Sequence, residues 1–297
     1  MNVHPKLMSD VKGLAHQVDP LSRRGFFMTA SAAAAAGYTL AAGPVRADAI
    51  KTDTNGLTAG DAKAKVSDGE MPVYYAKPAN ATNPPVILVA MEIFGLHEYI
   101  TDVTRRLAKL GALAVAPDYY FRKGVDLTKM GSIQQIIPIV NSKPDSELFS
   151  DLDATLAWAK SQGGNTAAAG IMGFCRGGRT VWEYASHNGD LKAGVAFYGS
   201  LADAETPAMP KNSLSVASAV KFPVLGLYGG ADAGIPVAQV KDMEARLKAA
   251  GKVAEFKLYP GAPHGFHADY RESYREDAAK DAWNQMVSWF KQDKVLA

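Results

Sequence analysis

The chain has 297 residues, of which 47% are hydrophobic and 21% charged, and its 32 basic and 30 acidic residues give a net charge of +2. This composition allows a large buried core in one large or two small domains. A chain so close to neutrality lacks the basic excess that binding to nucleic acid or to an anionic membrane surface requires. We therefore expect neither as a partner.

The first 49 residues have the features of an export signal. Arg23 and Arg24 are followed by an alanine-rich stretch, and Ala47-Asp48-Ala49 then offers the small residues of a cleavage site. We predict a twin-arginine signal peptide at residues 1–49, export to the periplasm, and contact with the membrane only during export. An uncleaved N-terminal anchor is the alternative, because the apolar stretch is about long enough to span a bilayer.

Removal of residues 1–49 leaves 27 basic and 27 acidic residues and a single cysteine, Cys175. One cysteine cannot form an internal disulfide, although an oxidising compartment permits disulfides. The twin-arginine route exports folded proteins, so a domain that is stable without disulfides is compatible with it. An unpaired thiol in an exported protein points to reactivity. The sequence leaves the oligomeric state open, and we favour a monomer.

From residue 50 onward, apolar strand-like runs alternate with amphipathic helical stretches. This order predicts one domain over residues 50–297, with a mostly parallel sheet covered by helices on both faces. The expected strands are an antiparallel edge at 63–66 and 73–77 and buried strands at 85–91, 113–116, up to 174, 193–198, 224–228 and 254–258. The expected helices are 97–110, 146–161, from 176 onward, 237–250 and 272–292. Ligands of such sheets bind beyond the carboxyl ends of the strands.

Cys175 lies at one of these strand ends, within Gly-Phe-Cys-Arg-Gly-Gly (173–178). The sharp turn that presents a nucleophile in α/β-hydrolases needs small residues two positions before and after it. Gly173 and Gly177 meet that requirement, so the motif predicts a nucleophile elbow. The alternative is a buried, inert cysteine in an ordinary turn, because free cysteine is among the most buried residue types.

Asp232 and His264 follow the two later strands that end at 228 and 258. Each residue alone fits an ordinary loop or turn position. Together with Cys175 they have the chain order of the α/β-hydrolase triad, nucleophile, acid and histidine. In that arrangement Cys175 attacks an acyl carbon, His264 carries the proton, and Asp232 orients the imidazole.

Main-chain N–H groups are expected to stabilise the oxyanion. One follows the nucleophile, at Arg176, and the other is expected at Ile93, in the loop after the first buried strand. Glu92 closes that strand, where an unpartnered carboxylate is costly to bury. Beside Cys175 it can accept the thiol proton, whereas a solvated strand end is the alternative.

These motifs resemble, in order along the chain, those of the dienelactone hydrolase family. The matching segments are 92–95, 117–122 (Pro-Asp-Tyr-Tyr-Phe-Arg), 173–178, position 232 and 264–266 (His-Gly-Phe). The resemblance implies hydrolysis of an ester or lactone, carboxymethylenebutenolidase-like, without metal or cofactor. It also implies a Cys175–Asp232–His264 triad, with Glu92 as the switch that activates the thiol and Arg122 as a clamp for a substrate carboxylate.

The sequence departs from the family pattern at Ala268, where the namesake enzyme has a second carboxylate-binding arginine. A two-arginine clamp is therefore not expected unless Arg271 reaches the site. Two other functions remain open: a general carboxylesterase or thioesterase with the same triad, and a non-hydrolytic binding or redox protein that uses a low-pKa Cys175.

Weaker signals predict ordinary roles. His264 and His267 have the spacing of a metal-binding pair, but no third ligand is evident, so we expect no metal. His97 and His187 are expected on helix surfaces. Five aromatic residues fit either a substrate pocket or the core: Tyr119, Tyr120, Phe121, Trp182 and Tyr198.

Overall fold

The computed structural model describes residues 49–297, in which eight strands form one sheet with the order β1-β2-β4-β3-β5-β6-β7-β8. The predicted signal peptide lies outside the described residues, apart from its last position. The strands are β1 (Leu57–Val66), β2 (Gly69–Pro78), β3 (Pro85–Ala90), β4 (Leu113–Pro117), β5 (Asn165–Phe174), β6 (Ala193–Phe197), β7 (Val224–Gly229) and β8 (Ala254–Tyr259). β1 and β2 are antiparallel and β2 pairs antiparallel with β4, while the other neighbours are parallel. The predicted α/β architecture is confirmed.

The antiparallel edge is longer than the sequence predicted. β1 and β2 pair along their whole length, from Leu57 opposite Pro78 to Val66 opposite Gly69. The outer half of β1 alternates only weakly between apolar and polar residues, because no residue from 57 to 62 is buried on either face. Main-chain pairing with β2, rather than an apolar pattern, therefore sets its length.

Helices cover the sheet at the predicted places, with two additions, a helix at Ile133–Asn141 and a single turn at Ser213–Val216. The helices are α1 (Glu98–Lys109), α2 (Ile133–Asn141), α3 (Asp145–Ser161), α4 (Arg176–His187), the single turn α5 (Ser213–Val216), α6 (Val237–Ala249) and α7 (Glu276–Gln292). The sequence analysis did not predict α2, which contains Pro138. Ser132 caps it by accepting a hydrogen bond from the N–H of Gln135, and Ile133, Ile136 and Val140 are its buried residues.

Four of the five aromatic side chains that fitted either a pocket or the core are fully buried, namely Tyr119, Tyr120, Trp182 and Tyr198. They belong to the central hydrophobic core, and Phe121 packs against it. The indole N–H of Trp182 donates to the hydroxyl of Tyr228 at 2.9 Å, as a buried polar group requires. In the part of the chain that the structure describes, no helix combines the length and the apolar character needed to cross a membrane.

Candidate active site

Cys175 lies in a sharp turn between β5 and α4. Its backbone has φ 56° and ψ −115°, in the left-handed region that a non-glycine residue rarely adopts. A methyl group on Gly173 would lie 2.4 Å from the carbonyl of Gly177, and one on Gly177 would lie 2.0 Å from the carbonyl oxygen of Ala90. Only glycine fits at these two positions, so the structure has the geometry of the predicted elbow.

The ends of β7 and β8 bring Asp232 and His264 together. Nδ1 of His264 lies 2.7 Å from Oδ2 of Asp232, and both side chains are buried. The other carboxylate oxygen, Oδ1, accepts hydrogen bonds from the N–H groups of Gly234 at 2.8 Å and Ile235 at 3.2 Å. The two main-chain N–H groups thus fix the carboxylate of Asp232, and that carboxylate fixes the orientation of the imidazole.

His264 interacts with Cys175 as well as with Asp232. Burial by itself lowers the pKa of His264, but hydrogen bonds to Cys175 and Asp232 and negative charge at both outweigh it. The result is that the pKa of His264 is raised well above its usual value. His264 is thus placed to exchange a proton with the side chain of Cys175.

The two expected oxyanion donors follow neighbouring strands of the sheet. Ile93 follows β3 and Arg176 begins α4, and β3 and β5 are neighbours in the sheet. Among residues 49–297, neither main-chain N–H has a hydrogen-bond acceptor. Both amides are therefore available to a developing oxyanion, as such a site requires.

Glu92 is buried, as its strand-end position suggested, but its partners are not the thiol. Oε2 accepts a hydrogen bond from the hydroxyl of Tyr270 at 2.9 Å and lies 3.1 Å from Nε2 of His97. Burial raises the pKa of Glu92, and the hydrogen bond from His97 together with the charge of Arg271 outweighs burial and lowers it. Glu92 is an ionised carboxylate in this arrangement, and no hydrogen bond to Cys175 is seen among the described residues.

A cleft of about 480 Å³ is lined by His97 and Tyr270, the two hydrogen-bond partners of Glu92. The side chain of Arg271 reaches the cleft from the loop after His264, with its guanidinium 4.4 Å from the ring centre of Phe94 and 4.3 Å from that of Tyr270. The opposite wall comes from Leu127 to Ile133 and from Ile136 of α2. This largely apolar cleft with one buried cation is suited to a small organic molecule.

Arg122 does not contribute to this cleft, which is a correction to the predicted carboxylate clamp. Its guanidinium forms two hydrogen bonds with Asp151, at 2.8 and 2.9 Å, and further bonds with Asp68 at 2.7 and 3.0 Å. Glu147 lies 3.4 Å away. Because three carboxylates of the protein already occupy the guanidinium, Arg122 ties the β1–β2 turn to α3 and has no donor left for a substrate.

Two site residues were missed by sequence reasoning. His97 was expected on a helix surface, but it precedes α1 and contacts Glu92. Tyr270 carried no signal in the sequence, because tyrosine is common in cores. Tyr198 was predicted to lie either in a substrate pocket or in the core. The ring centre of Tyr198 lies 5.1 Å from that of His264, and its backbone φ is 37°. A positive φ at a bulky residue directly after β6 is the one local feature that marks it.

His267 does not form a metal site with His264. Nδ1 of His267 lies 2.6 Å from the hydroxyl of Tyr99, and the ring stacks 5.2 Å from that of Phe174. Burial lowers the pKa of His267 to about 3, so it is a neutral core residue. Within residues 49–297, no group of three or more His, Cys, Asp or Glu side chains is placed to hold a metal ion.

The arrangement of these residues follows the order of the sheet. A nucleophile elbow comes after β5, a carboxylate after β7 and a histidine after β8, all at the carboxyl edge of a mostly parallel sheet. This fold and this site define an α/β-hydrolase.

Comparison with known proteins narrows the class. A model of the dienelactone hydrolase family matches residues 71–294. A protein of Methylorubrum extorquens provisionally named a carboxymethylenebutenolidase is 51% identical over 287 residues, 96% of this chain and 97% of that protein. A crystal structure described provisionally as a dienelactone hydrolase of Klebsiella pneumoniae is 44% identical, with a TM-score of 0.78 over 80% of this chain and 99% of that one. A Bradyrhizobium protein provisionally named 2-oxo-3-(5-oxofuran-2-ylidene)propanoate lactonase is 29% identical over 221 residues, 73% of this chain and 89% of that protein.

The chain therefore belongs to the dienelactone hydrolase family. It is a hydrolase of ester or lactone bonds, with a small molecule as its substrate.

Proposed function

We propose that this hydrolase acts through Cys175, His264 and Asp232 and an acyl-enzyme intermediate. The observation that carries the proposal is the chain of contacts from Asp232 to His264 and on to Cys175, with the cysteine in a strained elbow. An inert structural cysteine requires neither the backbone strain nor a buried histidine with a raised pKa.

The proposed cycle has two halves. In the first, His264 takes the proton of the thiol, and Sγ of Cys175 forms a bond with the acyl carbon while the C=O electron pair moves to oxygen. The N–H groups of Ile93 and Arg176 bind this oxyanion. As the C=O bond reforms, the ester C–O bond breaks, and the departing alkoxide or enolate takes the proton from His264.

In the second half, His264 acts as a base towards water. The oxygen of that water bonds to the acyl carbon, the thiolate leaves, and the proton returns from His264 to the sulfur. Asp232 holds the imidazole in the tautomer that both halves need. A thiolate departs more readily than a poor leaving group, so the mechanism favours enol esters, enol lactones and thioesters over amides.

Glu92 has an auxiliary role in the proposed mechanism. Tyr270, His97 and Arg271 hold its carboxylate in the ionised form at the edge of the cleft. A substrate that enters the cleft meets these same groups, since His97, Tyr270 and Arg271 all line it. We propose that the substrate competes for them and releases Glu92 to assist deprotonation of Cys175.

The substrate class follows from the cleft and from the relatives. The cleft is lined mainly by apolar groups and holds about 480 Å³, which suits a small cyclic or unsaturated ester. Relatives named for carboxymethylenebutenolidase and for a furan-ylidene lactonase both point to unsaturated lactones. We propose an enol lactone or enol ester as the substrate.

Hydrolysis assays on the protein over residues 50–297 test this function. We expect turnover of p-nitrophenyl acetate and of an enol lactone, a severe loss of both in Cys175→Ala and His264→Ala, and a thioester-linked acetyl group on Cys175 in a quenched sample. Cys175→Ser is the conservative variant, and it should also be severely impaired because a serine hydroxyl is far less acidic. Full activity in Cys175→Ala would refute the proposal, and a reversible oxidation of Cys175 without turnover would favour the thiol-based redox function.

We also propose that the protein works in the periplasm after export by the twin-arginine route. The support is the Arg23-Arg24 pair, the alanine-rich stretch and the Ala47-Asp48-Ala49 site in the sequence. Replacing both arginines with lysine should keep the full-length precursor in the cytoplasm, as cell fractionation would show. Normal export of that variant would contradict the proposal, and retention of residues 1–49 in the membrane fraction would favour the uncleaved anchor.

A further inference from the structure

The arginine that follows the nucleophile is buried without an ion pair. Arg176 is only 5% exposed, yet no carboxylate of the described residues lies within ion-pair distance of its guanidinium. One of its terminal nitrogens is 2.9 Å from the sulfur of Met209, and its Nε has no hydrogen-bond partner in the described part of the chain. A thioether is a weak acceptor, so the charge is poorly compensated. A buried cation in such surroundings is costly for the fold.

The acidic residues nearby serve a different arginine. Arg179, one turn further along α4, binds Asp145 at 2.9 and 3.1 Å and lies 3.3 Å from Asp203 and 3.6 Å from Glu183. Burial raises the pKa of Glu183 to about 7, so even this carboxyl is only partly ionised near neutral pH. Arg176 therefore forms no ion pair within residues 49–297, although its charge helps to lower the pKa of Glu183.

The position of Arg176 in its helix adds to this cost. It is the first residue of α4, where the unpaired N–H groups give the helix a partial positive charge. A cation at that end is unfavourable, whereas an anion is stabilised there. A residue that breaks a local rule in the interior, next to a nucleophile, is a candidate for function rather than stability.

The hydroxyl of Tyr120, a residue that follows β4, lies close to Arg176. It is fully buried, and apart from Arg176 no described residue is a hydrogen-bond partner for it. Burial raises the pKa of Tyr120, whereas the positive charge of Arg176 and a hydrogen bond with its side chain lower it, and a negative charge at Cys175 adds to the rise. The hydroxyl is thus near both Arg176 and Cys175.

We propose that the guanidinium of Arg176 and the hydroxyl of Tyr120 form a subsite for a carboxylate of the substrate, next to the acyl carbon that Cys175 attacks. The substrate carboxylate displaces the flexible side chain of Met209 and accepts hydrogen bonds from both groups. This subsite rests on the proposed cysteine mechanism for its place in the reaction. It is separate from the cleft at Arg271, which neither Arg176 nor Tyr120 lines.

Of the three arginines near the site, Arg176 and Arg271 are both buried and form no ion pair among the described residues. Arg122 is occupied by Asp68 and Asp151. Arg271 acts on the buried carboxylate of Glu92, whose pKa it helps to lower. We place the subsite at Arg176 because, of the two arginines without an ion pair, it is the one that directly follows Cys175.

Two esters that differ in one carboxylate test the subsite: p-nitrophenyl acetate and mono-p-nitrophenyl succinate. The readout is the ratio of kcat/KM for the anionic ester to that for the neutral ester, because damage to the oxyanion hole or to folding lowers both. Arg176→Met should lower this ratio about 10- to 100-fold, as expected for a lost charge-assisted hydrogen bond. Tyr120→Phe should lower it about 2- to 10-fold.

Lys211→Met is the matched control, because it removes an equal charge from an exposed position in the loop that contains Met209. We expect its ratio to match that of the unaltered protein. An unchanged ratio in both Arg176→Met and Tyr120→Phe would overturn the subsite while leaving the cysteine mechanism intact.

Calorimetric titration of succinate separates the subsite from the mechanism, because it needs no turnover. The unaltered protein should bind succinate, and Tyr120→Phe and Arg176→Met should bind it more weakly by the factors given above. If neither ester is hydrolysed but succinate binding depends on Arg176, the subsite stands and the proposed function fails. Binding that is equal in all three proteins, or absent from the unaltered one, would refute the subsite.

Discussion

Nδ1 of His264 lies 2.7 Å from Oδ2 of Asp232, and this contact joins the carboxyl ends of two neighbouring parallel strands, β8 and β7. The acid is itself held by two main-chain N–H groups, so the orientation of the imidazole is set by backbone geometry. The pairing of the two strands thereby fixes the direction in which the imidazole of His264 points.

Asp232→Asn tests this relationship. The amide offers an N–H where the imidazole needs an acceptor, so the wrong tautomer of His264 is favoured and we expect kcat to fall by about 10³- to 10⁴-fold. Ester hydrolysis measured at saturating substrate checks this. Asp281→Asn is the control, because Asp281 also accepts a side-chain hydrogen bond, from the hydroxyl of Tyr259 at 2.8 Å, but lies in α7. Equal activity of the two variants would show that Asp232 does not orient the base.

Gly177→Ala tests the close packing under the elbow. A methyl group there would lie 2.0 Å from the carbonyl oxygen of Ala90, and backbone atoms cannot move aside cheaply. We expect a loss of about 3 kcal/mol or more in the free energy of unfolding, measured by urea denaturation.

Gly189→Ala is the matched control for that substitution. A methyl group on Gly189 meets only the side chain of Lys221, at 3.5 Å, and the backbone there needs no left-handed conformation. A stability change in Gly177→Ala no larger than that in Gly189→Ala would contradict the packing that the structure shows.

Arg122→Met distinguishes a structural arginine from a substrate clamp. Its loss leaves buried Asp151 with Lys143 as its remaining cation. We expect a decrease of about 1 to 3 kcal/mol in the free energy of unfolding, moderated by the exposure of Asp68. The ratio of activities on anionic and neutral esters should not change. A selective loss of activity on the anionic ester would restore Arg122 as a clamp.

Glu183→Gln should change how stability depends on pH. Burial raises the pKa of Glu183 from 4.5 to about 7, so the folded state disfavours the charged form. The stability that its neutral form contributes is complete below the unfolded pKa and is lost as the pH rises through about 7. The unaltered protein should therefore lose up to about 3 kcal/mol more than Glu183→Gln between about pH 5 and pH 8.

Urea denaturation at both pH values gives the comparison for Glu183. Glu244→Gln, at an exposed position of α6, is the control and should follow the unaltered protein at each pH. A parallel pH dependence of Glu183→Gln and the unaltered protein would mean that Glu183 is ionised in the fold throughout.

The sequence by itself determined where the proposed catalytic residues lie along the chain. The boundary between β5 and α4 falls at Cys175 as predicted, and Asp232 and His264 follow β7 and β8. These features are local, because apolar runs and glycine pairs specify strands and sharp turns without reference to the rest of the fold.

The tertiary structure decided which charged side chains meet at the site. Arg122 was predicted from its motif to hold a substrate, but Asp68 and Asp151, far from it in sequence, occupy it instead. Glu92 was expected to face Cys175, and Tyr270 reaches it from 178 positions away. Each outcome depends on which loops lie side by side once the sheet order is set, and on which carboxylate is nearest after burial. Such pairings of long side chains leave no periodic trace in the sequence.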